Sequence, residues 1–386
     1  MESITAWFTS IGNKIVAALL SFHMSIGGAL VVPVPIKIVT QPAVFIVSSE
    51  EYAVMWATDK RGTGGLIVTT DGVEKTFYDS ASGSIRSDDT LHVVKVKKAV
   101  LDNCDSYKVQ SQYVWFSLSY FAIKGKQATS PSYTFRGSAE SQETVRALYF
   151  TDVHGHKEQA LANEKKLLED AGAQADLLIF AGDITRDWIL VQDTFRDEIL
   201  DLAAQMTGGG FPVIYARGNH ETRGQWATEM RKYFPTKTGE MYYTATYGPI
   251  HFTVLDSGED KQDDHAEYAG LADFAAYRAQ EKAWLDSLKK EGGGEVQYRV
   301  CICHEYDLNS PGLFENWWAP LKDNLEITNF FCGHGHDNKI FKSPNDLTCY
   351  EDGGPTIGSL LTFVNGTISA KSAQDGAQVR DFGVLA

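Results

Sequence analysis

Five apolar runs in this chain end in the same way, and that ending decides what the chain can fold into. Residues 145–150 run into Asp152, Val153 and His154, and residues 176–181 into Gly182 and Asp183. Residues 211–216 run into Arg217, Gly218, Asn219, His220 and Glu221, residues 298–303 into His304, and residues 327–332 into Gly333, His334, Gly335 and His336. Short apolar runs that stop at glycine or a polar cluster read as buried strands. Helical spacing follows the first three, over 158–171, 189–206 and 221–233. Strands alternating with helices predict a parallel, βαβ-type sheet. Each strand then delivers a carboxylate, an imidazole or an amide oxygen to the carboxyl edge of a sheet, where open α/β folds keep their chemistry.

Seven side chains at these ends are metal-ligand types: Asp152, His154, Asp183, Asn219, His304, His334 and His336. Seven are too many for one tetrahedral ion and suit two ions that share a carboxylate. Oxygen and imidazole donors without cysteine fit Mn, Fe or Zn in a working site rather than a structural zinc knot. Gly182, Gly218, Gly333 and Gly335 let backbone approach closely where a Cβ would interfere.

The rest of the chain frames this centre. At 386 residues two domains are expected. Residues 37–140 alternate with period two, Tyr52, Val54 and Trp56 sharing one face, and turn signals such as Asp71-Gly72 separate the runs. Runs at 44–47, 52–56, 65–70, 75–78, 91–96, 113–118 and 132–135 predict a β-sandwich of about seven strands. Residues 31–39 already read as a strand, and 137–143 as a linker. Later strands at 251–256, 298–303 and 327–332, a helix over 273–288, short strands over 338–368 and a tail from 371 to 386 complete the reading.

A net charge of −15 argues against nucleic acid as an obligate partner, since phosphate-backbone binding needs a basic surface. It allows a small phosphorylated substrate, because a bound metal inverts the local sign. The cysteine count of five is odd and contains no CxxC pair, which favours reduced, buried thiols and a cytoplasmic setting. Residues 15–36 carry no Asp, Glu, Lys or Arg. His23, Gly27-Gly28, Pro33 and Pro35 nevertheless point to a helical extension over 1–36 and not to membrane contact, the alternative being a secretory or anchoring segment.

The ordered set Asp152-Val-His154, Gly-Asp183, Gly-Asn219-His220-Glu221, His304 and Gly-His334-Gly-His336 resembles the calcineurin-like metallophosphoesterase superfamily, over residues 145–365. A β-sandwich ahead of such a domain further resembles the purple acid phosphatase arrangement. The resemblance implies a four-layer α/β/β/α catalytic domain over 145–370, preceded by an immunoglobulin- or fibronectin-III-like sandwich. It implies two divalent or trivalent ions, one on Asp152, His154 and His336, the other on Asn219, His304 and His334, with Asp183 bridging. His220 matches the family's histidine that protonates the leaving group. Arg217 matches a phosphate-gripping arginine of the protein-phosphatase type, or forms an ion pair with Glu221 or Asp187. Two positions depart from purple acid phosphatases: Arg186 stands at their metal-binding tyrosine, and His154 at a glycine. Asp187 falls one residue beyond the aspartate common in the wider superfamily.

The implied reaction is attack of a metal-bridged hydroxide on a phosphomonoester, in line with proton donation by His220. Two alternatives stand beside it: a phosphodiesterase of small or cyclic nucleotide diesters, and a non-catalytic binding or adhesion protein that uses the β-sandwich. Glu305, Asp337 and Asp187 each flank a ligand, either orienting it or simply solvated. Trp317 and Trp318, after Phe314, read as a substrate-side wall or as core. Glu221 is expected to favour the start of the helix that follows it.

Overall fold

The computed structural model describes residues 2–25, 31–118, 121–137, 142–186, 188–291, 295–307, 314 and 316–385. Two mixed sheets dominate it. At the centre of the larger, Thr144–Phe150, Leu177–Ala181 and Pro212–Ala216 run parallel, with Phe150 opposite Phe180 and Ala181 opposite Ala216. These strands end level with one another, so the residues that follow them emerge side by side. The smaller sheet repeats the arrangement. Ile250–Val254, Tyr298–Ile302, Asn329–Cys332 and Thr348–Glu351 are parallel, between antiparallel edges at Tyr243–Tyr247 and Lys339–Lys342.

Strand periodicity explains the layers. Tyr149, Ile179 and Ile214 of the large sheet meet Phe252, Val300, Phe331 and Tyr350 of the small sheet in one buried cluster between the two. The alternate residues, Leu148, Phe150, Phe180 and Val213, pack with Leu167, Leu202 and Ala203 on the helices Lys157–Ala171 and Asp201–Thr207. On the far side, Cys301, Cys303 and Phe330 pack with Leu285 of the helix Phe274–Ser287 and with Trp318 and Leu321 of the helix Trp318–Asp323. The layers are therefore helix, sheet, sheet, helix, an α/β fold with mixed sheets. The five cysteines are free thiols.

The early strands do not stand apart. Ala43–Ile46 pairs in parallel with Pro212–Ala216, and Glu51–Gly62 and Asp89–Lys97 continue the same sheet antiparallel. Tyr52, Trp56, Leu66 and Val109 share the intersheet cluster with Ile214. The remaining early strands, Gly65–Thr70, Val73–Tyr78, Ser106–Leu118 and Phe121–Thr129, pair with one another and touch Glu51–Gly62 at a single register position.

Several local expectations are corrected. Residues 31–39 make only isolated bridges, to Lys124 and Thr58, because Pro33 and Pro35 have no N–H for a ladder. The expected helix over 221–233 is two short turns of 3-10 type, His220–Thr222 and Ala227–Tyr233. Gly224, at φ +97°, breaks the pattern between them. The helix over 189–206 starts late: Val191 is extended, and a short helical turn, Gln192–Thr194, and a widened turn, Phe195–Leu200, precede Asp201–Thr207. The stretch read as a tail supplies Val379–Val384, which pairs with Thr367–Gln374 at the edge of the large sheet. Its alternation is weakened by Gly383, so the sequence does not announce it. At the amino end a helix spans Glu2–Ser25, and no helix among the described residues is long and apolar enough to cross a membrane. The proposed linker overlaps residues 138–141, which lie outside the described residues, as does Asp187.

Candidate metal centre

All seven predicted ligands come together at the carboxyl edges of the two sheets. Asp152, His154 and His336 form one group of ligating atoms, and Asp183, His304 and His334 another, each with its atoms within 4.8 Å of one another. The closest pairs have nearly equal spacing: His154 Nε2 to His336 Nε2 is 3.1 Å, and His336 Nε2 to Asp152 Oδ1 is 3.2 Å. His304 Nε2 to Asp183 Oδ2 is 3.2 Å, and His334 Nδ1 to Asn219 Oδ1 is 3.3 Å. Asp183 belongs to both halves, since it also falls within a group with His154 and His220.

The backbone is bent to make this possible. Asp152, His154, Asp183, His334 and His336 all have left-handed φ, between 48° and 72°. Non-glycine residues there are strained, and such residues cluster at functional sites. At Gly218 an added Cβ would fall inside the Asp183 carboxylate, and at Gly333 inside Thr151 and Asp152. Only glycine lets these turns close on the ligands.

His304 carries the clearest chemical signal. Its Nδ1–H donates to the Ala181 carbonyl at 2.8 Å, which turns Nε2 toward the carboxylates. That Nε2 is fully buried, with Asp183 Oδ2 at 3.2 Å and Asp152 Oδ1 at 3.8 Å but no well-aligned hydrogen bond to either. Burial works against charge on this ring, yet the carboxylates of Asp183 and Asp152 hold its pKa well above the ordinary histidine value. Asp183 is depressed below the usual carboxyl range in return: burial would raise it, but the His304 and His220 imidazoles outweigh that cost. Two carboxylates and an orphaned imidazole nitrogen, facing inward without solvent, are arranged around a positive charge. The donors fit a divalent cation pair.

His220 faces the same space. Its Nε2 lies 3.7 Å from Asp183 Oδ2, its ring sits 4.6 Å from that of His154, and its backbone N–H donates to Asp183 Oδ1. Its Nδ1–H donates to the Arg186 carbonyl at 3.2 Å, so Nε2 is the nitrogen presented to the site. Arg217 is engaged elsewhere. It forms a bidentate pair with buried Asp256, Nη2 to Oδ2 at 2.7 Å and Nε to Oδ1 at 3.2 Å, over the Tyr277 ring. Among the described residues its partner is thus Asp256 and not Glu221, while Asp187 lies outside them.

Sequence reasoning underrated Glu221. It starts no long helix. Instead its buried carboxylate accepts from the backbone N–H groups of Asp183, Thr185 and Gly218 at 2.8–2.9 Å, tying two ligand turns together. A glutamate directly after Gly-Asn-His, at the end of a strand, was the available signal. Thr151 was not singled out at all, although its hydroxyl donates to the carbonyl at Ala181 and sits against Asp152. Of the flanking acids, Asp337 is exposed and paired with Lys339, whereas Glu305 is 5% exposed and directed at His334. Phe314, Trp317 and Trp318 are buried core, not a substrate-side wall.

A family model for calcineurin-like phosphoesterases matches residues 145–338. No curated protein matches the chain. Among solved structures it is similar to a dimetal phosphatase from Danio rerio, with 13% identity and a TM-score of 0.43, covering 62% of this chain and 98% of that one. It is also similar to vacuolar protein sorting 29 from Cryptosporidium parvum, with 10% identity and a TM-score of 0.30, covering 63% of this chain and all of that one. The family match spans half of the chain and takes in all seven side chains expected as ligands, and the chain therefore belongs to the calcineurin-like phosphoesterase family of metal-dependent hydrolases.

Proposed function

We propose that this protein hydrolyses phosphomonoesters at a dinuclear metal centre, in the manner of an acid phosphatase. The observation that supports this most is the orphaned Nε2 of His304 between Asp183 and Asp152. One metal is assigned to Asp152, His154 and His336, the other to Asn219, His304 and His334, with Asp183 shared. Two cations bound there would supply Lewis acidity and a water acidified toward neutral pH.

The chain's own residues do the rest. Ala181 fixes the His304 ring through its carbonyl, so the ligand nitrogen needs no reorientation. Asp183 is held by Glu221 through its backbone and by the His220 N–H through its carboxylate. His220 is assigned the general acid: with Nδ1 on the Arg186 carbonyl, Nε2 can pass a proton to the departing alkoxide. Arg217 keeps Nε and Nη2 on Asp256 and is proposed to offer Nη1 to a phosphate oxygen.

The same reading treats residues 37–140 as a fibronectin-III-like, purple acid phosphatase-like unit that shares the strands Ala43–Ile46, Glu51–Gly62 and Asp89–Lys97 with the sheet of a catalytic unit over 145–370. The antiparallel pairing of Gly65–Thr70 with Val73–Tyr78 and Ser106–Leu118 supports it. Five free thiols support a reducing, cytoplasmic compartment. A panel of p-nitrophenyl phosphate, an alkyl monoester, bis-p-nitrophenyl phosphate and a cyclic nucleotide, with and without Mn²⁺, tests the function. Mn²⁺-dependent release of phosphate from the monoesters is expected. Turnover of the diesters alone, or none with two metals bound, overturns the proposal. Elemental analysis of Asp183→Asn should find at least one metal site emptied, and two metals retained would remove Asp183 as the bridge.

A further inference from the structure

We propose that Glu305 is an additional ligand of the second metal, a position that rests on the dinuclear reading above and extends it. Glu305 follows His304 directly, at the end of the strand Tyr298–Ile302 and its short extension. Its Oε1 lies 3.3 Å from His334 Nδ1, the atom that is also 3.3 Å from Asn219 Oδ1. The side chain is buried, and Oε1 accepts no hydrogen bond. A buried, unpartnered carboxylate oxygen is costly and calls for a counter-charge.

Asn219 Oδ1 and Glu305 Oε1 thus each stand 3.3 Å from the same atom, His334 Nδ1. A single proton on Nδ1 satisfies one of the two oxygens and leaves the other facing it unmet. A cation satisfies all three. The spacing agrees with this. Ligands about 2.1 Å from one ion stand about 3.0 Å apart at right angles and about 3.4 Å apart at tetrahedral angles. The Glu305–His334 separation of 3.3 Å falls in that interval, as do the 3.1–3.3 Å separations of the other ligand pairs. On the other side of the ring, Asp260 Oδ2 stands 3.9 Å from His334 Nε2.

The consequence is a lopsided pair of sites. The first holds two imidazoles and two carboxylates. The second holds two imidazoles, two carboxylates and an amide oxygen, a harder and more oxygen-rich set. Oxygen-rich sets suit Mn²⁺ better than Zn²⁺. An anionic fifth ligand also balances the charge of a divalent ion.

The test uses the full chain with Glu305→Gln and Glu305→Asp. Calorimetric titration with Mn²⁺ should give two sites in the wild type. In Glu305→Gln one site should stay unchanged and the other weaken by at least about ten-fold, at the low end of what metal-site substitutions produce. Without metal, Glu305→Gln should melt at or above the wild-type temperature, because an orphaned carboxylate has gone, while the rise in melting temperature on adding Mn²⁺ shrinks. A merely structural glutamate would do the reverse, lowering the metal-free melting temperature. The Co²⁺-loaded protein gives a second reading: losing a ligand should strengthen its visible bands, with Glu305→Asp restoring the wild-type spectrum in part. Two Mn²⁺ bound by Glu305→Gln with wild-type affinity, or unchanged Co²⁺ bands, overturns the assignment and leaves the dinuclear reading intact. If the wild type binds one ion only, the dinuclear reading falls, and Glu305 stands or falls by whether its substitution weakens that ion. If it binds none, both fall.

Discussion

His220 and Glu221 are neighbours with opposite duties, and substitutions separate them. His220 is partly exposed and touches the centre through Nε2, so its removal should leave the fold and the metals in place. His220→Ala is expected to slow alkyl monoesters by about 10²–10⁴-fold and p-nitrophenyl phosphate much less, since nitrophenolate leaves without a proton. Equal losses on both, with metal content intact, would end its assignment as the acid. Glu221 touches no substrate. Its carboxylate satisfies three buried N–H groups and the Thr185 hydroxyl. Glu221→Ala leaves those donors orphaned, at about 1–3 kcal/mol apiece before relaxation. A fall in unfolding free energy of several kcal/mol, with loss of tight metal binding, is the expected result in chemical denaturation. Glu221→Gln, which keeps one oxygen acceptor, should fall between the two. The cluster of candidate ligands was legible because their types are rare together and each follows an apolar run. The duty of Glu221 was only hinted at by its place after Gly-Asn-His, because the N–H groups it accepts come from turns that meet only in the fold.

At the scale of elements, strands were legible and helices less so. The parallel strands ending at Phe150, Ala181 and Ala216 are buried on both faces, and a continuous apolar run marks them. The 221–233 segment has apolar spacing but also Gly224 with positive φ, where tertiary contacts with Ile189 override helical preference. The strand Asp89–Lys97 holds a further consequence. His92 is buried against Trp56, its Nε2 2.9 Å from Thr58 Oγ1. Burial pushes its pKa down to about 4. The unfolded chain titrates near the ordinary histidine value, about 6.5. Between these values the unfolded state binds the proton and the folded state does not, so stability falls as pH drops from about 6.5 toward 4. Above that window the group contributes no pH dependence. The full shift corresponds to about 3 kcal/mol. His92→Gln should flatten this part of the profile by about 2–3 kcal/mol relative to the wild type, measured by denaturation at pH 6.5 and 4. A parallel profile would show that His92 charges freely in the folded state.

For the whole molecule, the continuous sheet sets what can be separated from what. The period-two pattern over 37–140 reveals strands but not their neighbours, because pairing between Ala43–Ile46 and Pro212–Ala216 joins residues far apart in sequence. Removing residues 1–141 would bare the edge of Pro212–Ala216 and one side of the intersheet core. The fragment 142–386 is therefore expected to be insoluble or to lack a cooperative melting transition, whereas a self-sufficient catalytic unit would melt as sharply as the full chain.

The left-handed ligand residues tie metal supply to the lifetime of the protein. Each holds a side chain where glycine would sit about 1 kcal/mol more comfortably. His336→Gly should thus make the metal-free chain slightly harder to unfold and the metal-loaded chain easier. Ions bound at the proposed centre would stabilise the native chain through mass action, by an amount that grows with their free concentration. A cell short of these metals would then hold less of the protein itself, through clearance of the looser metal-free form, so that its abundance reports the metal its own turns are strained to accept.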